Sequence, residues 1–284
     1  MDYSVILIDE PAPMVRRITL NRPEKRNALN EVLRAEVLLA LYEADSDPEV
    51  RVMILRGAGK CFSAGYDLSG SAPDYGADSP RMPFHTAGGD GSFQRMVTAG
   101  WMSIWDLAKP VLAQVHSYCL AGGSELATCC DLVYVADDAQ IGYPAVRFGT
   151  PDNQFHAWFM GMRTAMEMML TGDSITGVEA VERGWANRAF AAEDLEAAVL
   201  DVAQRIAKTP TDIVQINKRT VHRAMEIMGL RSAIRSGTEM SALASYQPTF
   251  RAFIDNAKGG LTKALTARDA PFADYRTTDA EVEP

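Results

Sequence analysis

The spacing of apolar residues changes several times along the chain, and each change predicts an element. Val5 to Ile8 and Val15 to Leu20 are short β-branched runs separated by Pro11-Ala12-Pro13, which predicts a hairpin turned at the prolines. Leu29, Leu33, Val37, Leu41 and Ala44 then recur at helical spacing with polar residues between them, and Asp47-Pro48 marks a stop. Val50 to Arg56 reads as a strand with a continuous apolar stretch, and Val111 to Val115 as a buried strand. Leu126 to Cys130 reads as the first turns of a buried helix, and Leu132 to Val135 and Gln140 to Gly142 as two further strands. Phe93 to Ala108 has helical spacing with Trp101 and Trp105 on one face, where they read as core. From about Thr211 the pattern is helical throughout: Ile213, Ile216, Val221, Met225 and Met228, then Ala233 to Tyr246, then Phe250 to Lys258. Periodicity alone gives an α/β fold and no more.

Between Ser69 and Ser92 the residues are mainly Gly, Pro, Ser, Asp and Ala, with no apolar period. A loop of this length inside a compact domain is functional or disordered. A mobile lid and a tolerated surface insertion are both open for it. Ala270 to Pro284 is polar and is expected to fray.

Composition narrows the class only a little. At 284 residues with 47% hydrophobic content, the chain has enough apolar material for one large core and an appended element. No run approaches the roughly 18 consecutive apolar residues of a membrane span. The acidic start MDYSVILIDE lacks the basic lead of a signal peptide, so the expected location is cytoplasmic. Cys61, Cys119, Cys129 and Cys130 sit in apolar surroundings without CxxC spacing, which reads as reduced core thiols and no metal site. A net charge of −9 argues against a nucleic-acid surface. Motifs exclude more: no G-x-S-x-G elbow, no P-loop and no G-x-G-x-x-G that opens a helix is present.

The candidate chemistry lies at two glycine turns. Ala121-Gly122-Gly123-Ser124-Glu125 joins a strand-like run to a helix-like one. Glycine lets backbone approach a ligand, and the free amides of a helix start are aimed at negative charge. Glu125, one turn after Gly122, is placed to act as an acid or base on the same ligand. Ala64-Gly65-Tyr66-Asp67 is expected to form a second strand-to-helix turn. Two such turns could each give one N–H to one oxygen, which is how an oxyanion hole is made.

These turns, together with NRPEKRNALN (residues 21–30), Lys109-Pro110, Gly122 to Asp131, and Leu170-Thr171-Gly172 with Ala180 and Gly184, resemble the crotonase superfamily of enoyl-CoA hydratases and isomerases. The resemblance runs from about residue 5 to 205 in the usual order, and five motifs in order are specific where one would not be. It implies an α/β spiral of ββα turns over residues 1–205 and a C-terminal helical trimerisation region over 206–284. It also implies an acyl-CoA substrate, a homotrimer or dimer of trimers whose C-terminal helices cross to neighbouring subunits, and no cofactor or metal beyond the CoA moiety. The oxyanion donors map to the N–H groups of Tyr66 and Gly122. Tyr66 is bulkier than the usual alanine, and should narrow the pocket or add a hydroxyl to it. CoA phosphates are expected near Arg22, Lys25 and above all Arg26. Backbone near Ala28, Ala64 and Asp67 should cradle adenine and pantetheine, and Lys258 is a looser phosphate candidate. A solvated basic turn is the alternative for the cationic run.

One departure bears on the reaction. Where hydratases carry a second glutamate, in a segment like FGQPE, this chain has Ile141-Gly142-Tyr143-Pro144-Ala145. An allylic isomerase depends mainly on that second glutamate and is disfavoured. Hydration then rests on Glu125 alone or on Asp152, which lies in TPDNQFH near the loop where some branches of the family use an aspartate. An Asx turn or helix cap is the other reading of Asp152. Tyr143, Ala145 and His156 are expected at the acyl pocket. His116 reads as a core or supporting histidine, His85 falls in the loop and His222 on a C-terminal helix. The leading expectation is an enoyl-CoA hydratase. Isomerisation, hydrolysis or C–C cleavage of an unusual acyl-CoA on the same scaffold is the alternative. A non-catalytic acyl-CoA or RNA binder is a third class, against which Glu125 and the negative charge both count.

Overall fold

The structure, a computed structural model, describes residues 2–69, 91–153 and 155–274. Six strands form one sheet in the order β1 (Ile6–Ala12), β2 (Val15–Leu20), β3 (Val52–Gly57), β4 (Val111–Val115), β6 (Leu132–Ala136) and β9 (Arg188–Phe190). Only β1 and β2 run antiparallel; the other neighbours in this sheet are parallel. A smaller sheet joins β5 (Tyr118–Leu120), β7 (Gln140–Gly142) and β8 (Ser174–Thr176).

Both β4 and β6 lead into a strand of the small sheet, so the chain crosses between sheets as it advances. After β4 the corner falls at Ser117, whose φ is 49°. β5 then feeds α3 (Gly122–Thr128), completing a ββα turn of the expected spiral. β5, β8 and β9 have only three residues each, too short for an alternating pattern to reveal them.

Two local expectations are corrected. The hairpin turns at Pro13-Met14, and Pro11 and Ala12 belong to β1. β1 is an edge strand, where a proline leaves no ladder bond unmade. The segment from Cys61 to Leu68 has no helix and turns at Gly65, where φ is 97°, with isolated bridges Ser63↔Cys119 and Leu29↔Tyr66; no helix starts at Leu68 or Ser69. Most of the Ser69 to Ser92 loop, including His85, and the end of the chain from residue 275 lie outside the described residues.

Helix α1 (Glu31–Ser46) starts at Asn30, whose side chain accepts the Leu33 amide. Its last turn is closed by Lys109, whose buried ammonium donates to the Ala44 carbonyl at 2.9 Å. Leu33, Leu38 and Leu41 of α1 and Ile18, Leu20, Met53 and Ile54 of the sheet are almost wholly buried in one core. Each such side chain contributes roughly 1.5–3 kcal/mol of transfer free energy.

The C-terminal helices α7 (Thr211–Ile227), α8 (Leu230–Ala244), α9 (Pro248–Lys258) and α10 (Leu261–Asp269) pack on their own chain. Leu230 and Ile234 of α8 enter the main core against α2 (Ser92–Asp106), and Thr98 and Thr238 share a hydrogen bond at 2.9 Å. Lys218 and His222 of α7 both reach Asp131, at 2.8 and 3.0 Å. Phe253 and Ala264 of α9 and α10 pack around a 3-10 turn, Pro144–Phe148, that follows β7.

Candidate active site

The two glycine turns meet because residues 61–67 are zipped between two neighbours. On one side Ser63 exchanges backbone bonds with β5, donating to Tyr118 and accepting from Leu120. On the other, Leu29 donates to Gly65 and accepts from Asp67. Amides alternate along extended chain, so these two bonds turn the intervening Tyr66 N–H away from Leu29. Asn27 fixes the outer loop from below: buried at φ 52°, it donates to the Ala58 and Cys61 carbonyls and accepts the Arg22 amide.

At Gly65 the contact with α3 is close. A Cβ there would lie 2.8 Å from the Leu120 carbonyl and 3.4 Å from the Gly122 nitrogen, and φ is +97°, so only glycine fits without strain. Gly122 opens α3 behind Ala121, which has φ 47° and ψ −120°. That conformation is rare for a residue with a side chain and costs on the order of 1–3 kcal/mol. Ala121 is held there by its amide, which donates to Gly142 at 2.8 Å, and by its carbonyl, which accepts the Glu125 amide and the Ser124 hydroxyl. Neither the Tyr66 nor the Gly122 amide has a protein acceptor among the described residues. Each turn thus carries one unspent amide donor, and the two turns meet at Gly65.

Glu125 lies one turn on, fully buried. Each of its oxygens accepts a phenol: Tyr143 donates to Oε1 at 2.6 Å, and Tyr66 donates to Oε2. The Tyr66 oxygen in turn accepts the Trp101 indole N–H at 2.9 Å. Its ring is pressed on Gly122, where a Cβ would stand 2.6 Å from Cζ and Cε2. The Arg34 guanidinium lies 5.8 Å from the ring centroid, and Phe93 meets the ring edge-on.

Burial first, and then the charge of Asp152, push the Glu125 carboxyl up to about 7, against the opposing tyrosine bonds and His156. Burial and the neighbouring carboxylate hold both phenols well above their ordinary range, so they remain donors. A carboxyl poised near neutrality inside a polar cluster is suited to acid–base work.

Asp152 and His156 form a second pair beside it. Asp152 Oδ1 faces His156 Nδ1 at 3.1 Å, and its Oδ2 accepts the His156 amide at 3.2 Å near the start of α4 (Phe155–Thr171). Asp152 therefore does what a helix cap does while also orienting the imidazole. His156 Nε2 lies 3.1 Å from the Ser124 hydroxyl. Burial works against charging this imidazole, but the Asp152 and Glu125 carboxylates outweigh it and raise its pKa.

Ala145 stands in the 3-10 turn after β7, buried in an apolar cluster with Phe148, Phe253 and Ala264. Tyr143, two residues earlier, is the polar group that the turn sends to Glu125.

The expected CoA residues divide. Arg26 and Lys25 are exposed. Arg22, by contrast, is committed inward, to Asp67 at 2.9 Å and to the Ala28 carbonyl, so it is not a free cation and Asp67 is not a free acceptor. The Ala64 amide is spent on the Arg26 carbonyl at 3.0 Å. Lys258 pairs with Asp255 on its own helix. His116 is not core: it is half-buried and its Nε2 lies 3.0 Å from the Gly59 carbonyl.

Sequence reasoning missed Trp101, Ser124 and Arg34 as neighbours of the site. Trp101 sits on the apolar face of an amphipathic helix, and nothing in that pattern separates a packed indole from one whose N–H is in use. Among the described residues there is no cluster of three metal-ligating side chains, and no helix is long and apolar enough to cross a membrane.

The spiral of ββα turns is that of the crotonase superfamily. An enoyl-CoA hydratase structure from Mycobacterium smegmatis superposes with a TM-score of 0.86 at 31% identity, covering 99% of this chain and 98% of that one. An enoyl-CoA hydratase/isomerase structure from Xanthobacter autotrophicus Py2 gives 0.85 at 34%, covering 95% and 99%. In sequence, EchA13 of Mycobacterium tuberculosis, which bears an enoyl-CoA hydratase name, is 36% identical over 78% of this chain and 74% of its own. The profile of the enoyl-CoA hydratase/isomerase family matches residues 12–258, and the chain belongs to that family.

Proposed function

We propose that the protein adds water across the C2=C3 double bond of a 2-enoyl-CoA. The observation that carries this reading is the position of Glu125: buried, poised near neutrality, and one helical turn from the Gly122 amide. The thioester oxygen binds the Tyr66 and Gly122 N–H groups, which polarise the enone and hold the enolate charge as water attacks C3. Loss of one such donor costs roughly 3–4 kcal/mol. Glu125 as carboxylate takes a proton from the attacking water. Asp152 acts through its pairing with His156, which sets the charge around Glu125. The exposed Arg26 takes a CoA phosphate, beside the loop of Ala28, Ala64 and Asp67. The working assembly is a homotrimer or a dimer of trimers in the cytoplasm.

A second reading is favoured by Ala145. With hydrocarbon where hydratases have a second glutamate, the same scaffold suits isomerisation, hydrolysis or C–C cleavage of an unusual acyl-CoA. Mixing the protein with crotonyl-CoA and following the enone absorbance separates the two. Loss of absorbance supports hydration; background activity with CoA still bound supports the second reading. Glu125→Gln is expected to abolish turnover and to leave CoA affinity within a few-fold of wild type.

A further inference from the structure

A hydratase that takes water's proton on Glu125 must still deliver a proton to Cα, and Asp152, the other carboxylate of the cluster, is engaged by His156. Water must lose a proton to a base, and Cα must gain one from an acid, yet Ala145 offers neither. We infer that the Tyr66 hydroxyl is the acid that protonates Cα, recharged by Glu125 across the hydrogen bond they share. This rests on the hydration reading above.

The geometry places Tyr66 at both ends of the reaction. Its amide is one oxyanion donor, and its ring lies against Gly122, which supplies the other. A thioester oxygen held by both amides therefore brings the adjoining Cα up to the same ring. The hydroxyl at the end of that ring is bonded to Glu125 Oε2, while Tyr143 holds Oε1. The carboxylate is thus fixed at one oxygen by one phenol and open to proton exchange with the other.

The steps balance. Water adds through oxygen to C3 as one of its O–H bonds breaks and that proton goes to Glu125. The C2=C3 electron pair moves onto the thioester oxygen as an enolate. Once protonated, Glu125 is a donor, and it releases the Tyr66 hydrogen that it held as a carboxylate. Tyr66 gives this hydrogen to Cα, forming the C–H bond, and takes the proton of Glu125 in return. Carboxylate and phenol are both restored, with one water added.

Burial and the Glu125 carboxylate disfavour a Tyr66 phenolate, and two contacts act the other way. The Trp101 N–H donates to its oxygen, and the Arg34 guanidinium lies against its ring. Both oppose the burial that otherwise disfavours the phenolate.

The experiment is hydration of crotonyl-CoA in deuterium oxide by wild type, Glu125→Gln, Tyr66→Phe and Trp101→Phe, with kcat, KM and the configuration of the deuterium at C2 of the product. Tyr66→Phe is expected to lower kcat roughly 100- to 10,000-fold, the range of a lost general acid, with KM within a few-fold. The residual product should carry deuterium on both faces of C2, because solvent replaces a fixed donor. Trp101→Phe leaves the phenol in place, so kcat should fall by a smaller factor with deuterium on one face. It also serves if Tyr66→Phe does not fold. Tyr66→Phe turning over within about threefold of wild type, or retaining a single deuterated face, overturns the relay while the hydratase stands. So does Trp101→Phe at the wild-type kcat. Wild type without hydration, or Glu125→Gln with full hydration, overturns the hydratase reading and the relay with it.

Discussion

Glu125 couples the activity of this chain to its stability. Its folded pKa is about 7 against an ordinary 4.5, so the carboxyl is raised on folding. A raised group contributes stability that is complete below about pH 4.5 and is lost as pH rises through about 7. Glu125→Gln carries no charge to bury, so it should melt at a higher temperature than wild type at pH 8, with the gap closing toward pH 4. Differential scanning calorimetry at the two pH values checks this, and equal melting temperatures at pH 8 refute it. The same group sets the pH profile. In the proposed hydration it must be ionised to accept water's proton, so kcat should rise with pH through about 7. His156 lowers the Glu125 pKa and compensates Asp152. Its removal in His156→Gln should therefore move this limb to higher pH, read from kcat against pH.

At the scale of elements, the turn that carries Tyr143 depends on a single buried cation. Arg147, in the 3-10 turn Pro144–Phe148, bonds Asp173, Asp269 and Asp274, and so ties the small sheet's exit to the last helix. Its side chain is 2% exposed and that of Asp269 1%. Loss of Arg147 leaves Asp269 with Arg268 alone, at 2.7 Å, so the cost falls at the low end of that for breaking a buried pair. Arg147→Met should cost on the order of 3 kcal/mol, seen as a lower urea midpoint with an unchanged slope. It should also lower kcat, since Tyr143 leaves the same turn. The elements differ in how far the sequence announced them. α1 was legible because its apolar period and its asparagine cap agree. The hairpin turn was misplaced because prolines usually mark turns, and an edge strand admits one only by virtue of its place in the sheet. The path of residues 61–67 has no pattern of its own, since its bonds go to two distant partners.

Across the whole molecule, the backbone half of the site was legible and the side-chain half was not. Gly122, Glu125 and the Tyr66 amide follow from glycine turns whose chemistry is local. The pairing of Glu125 with two phenols, and of one phenol with Trp101, joins residues from four separate stretches, which only the fold brings together. Arg22 shows the same limit: its charge reads as a phosphate ligand until Asp67, far along the chain, is seen to neutralise it. Within the chain, Phe253 and Ala264 of the C-terminal helices close over the Ala145 turn, a contact that their helical spacing does not announce.

Ala121 is wound against its own preference. A glycine at that point would relax into the same path without complaint, and Ala121→Gly should leave the protein as stable or slightly more so. Yet a slack joint can point in many directions, whereas a taut one held by Gly142 and Ser124 points in one. The anchors, not the methyl group, hold the winding against its own strain, and they fix the direction in which the adjacent N–H leaves the chain.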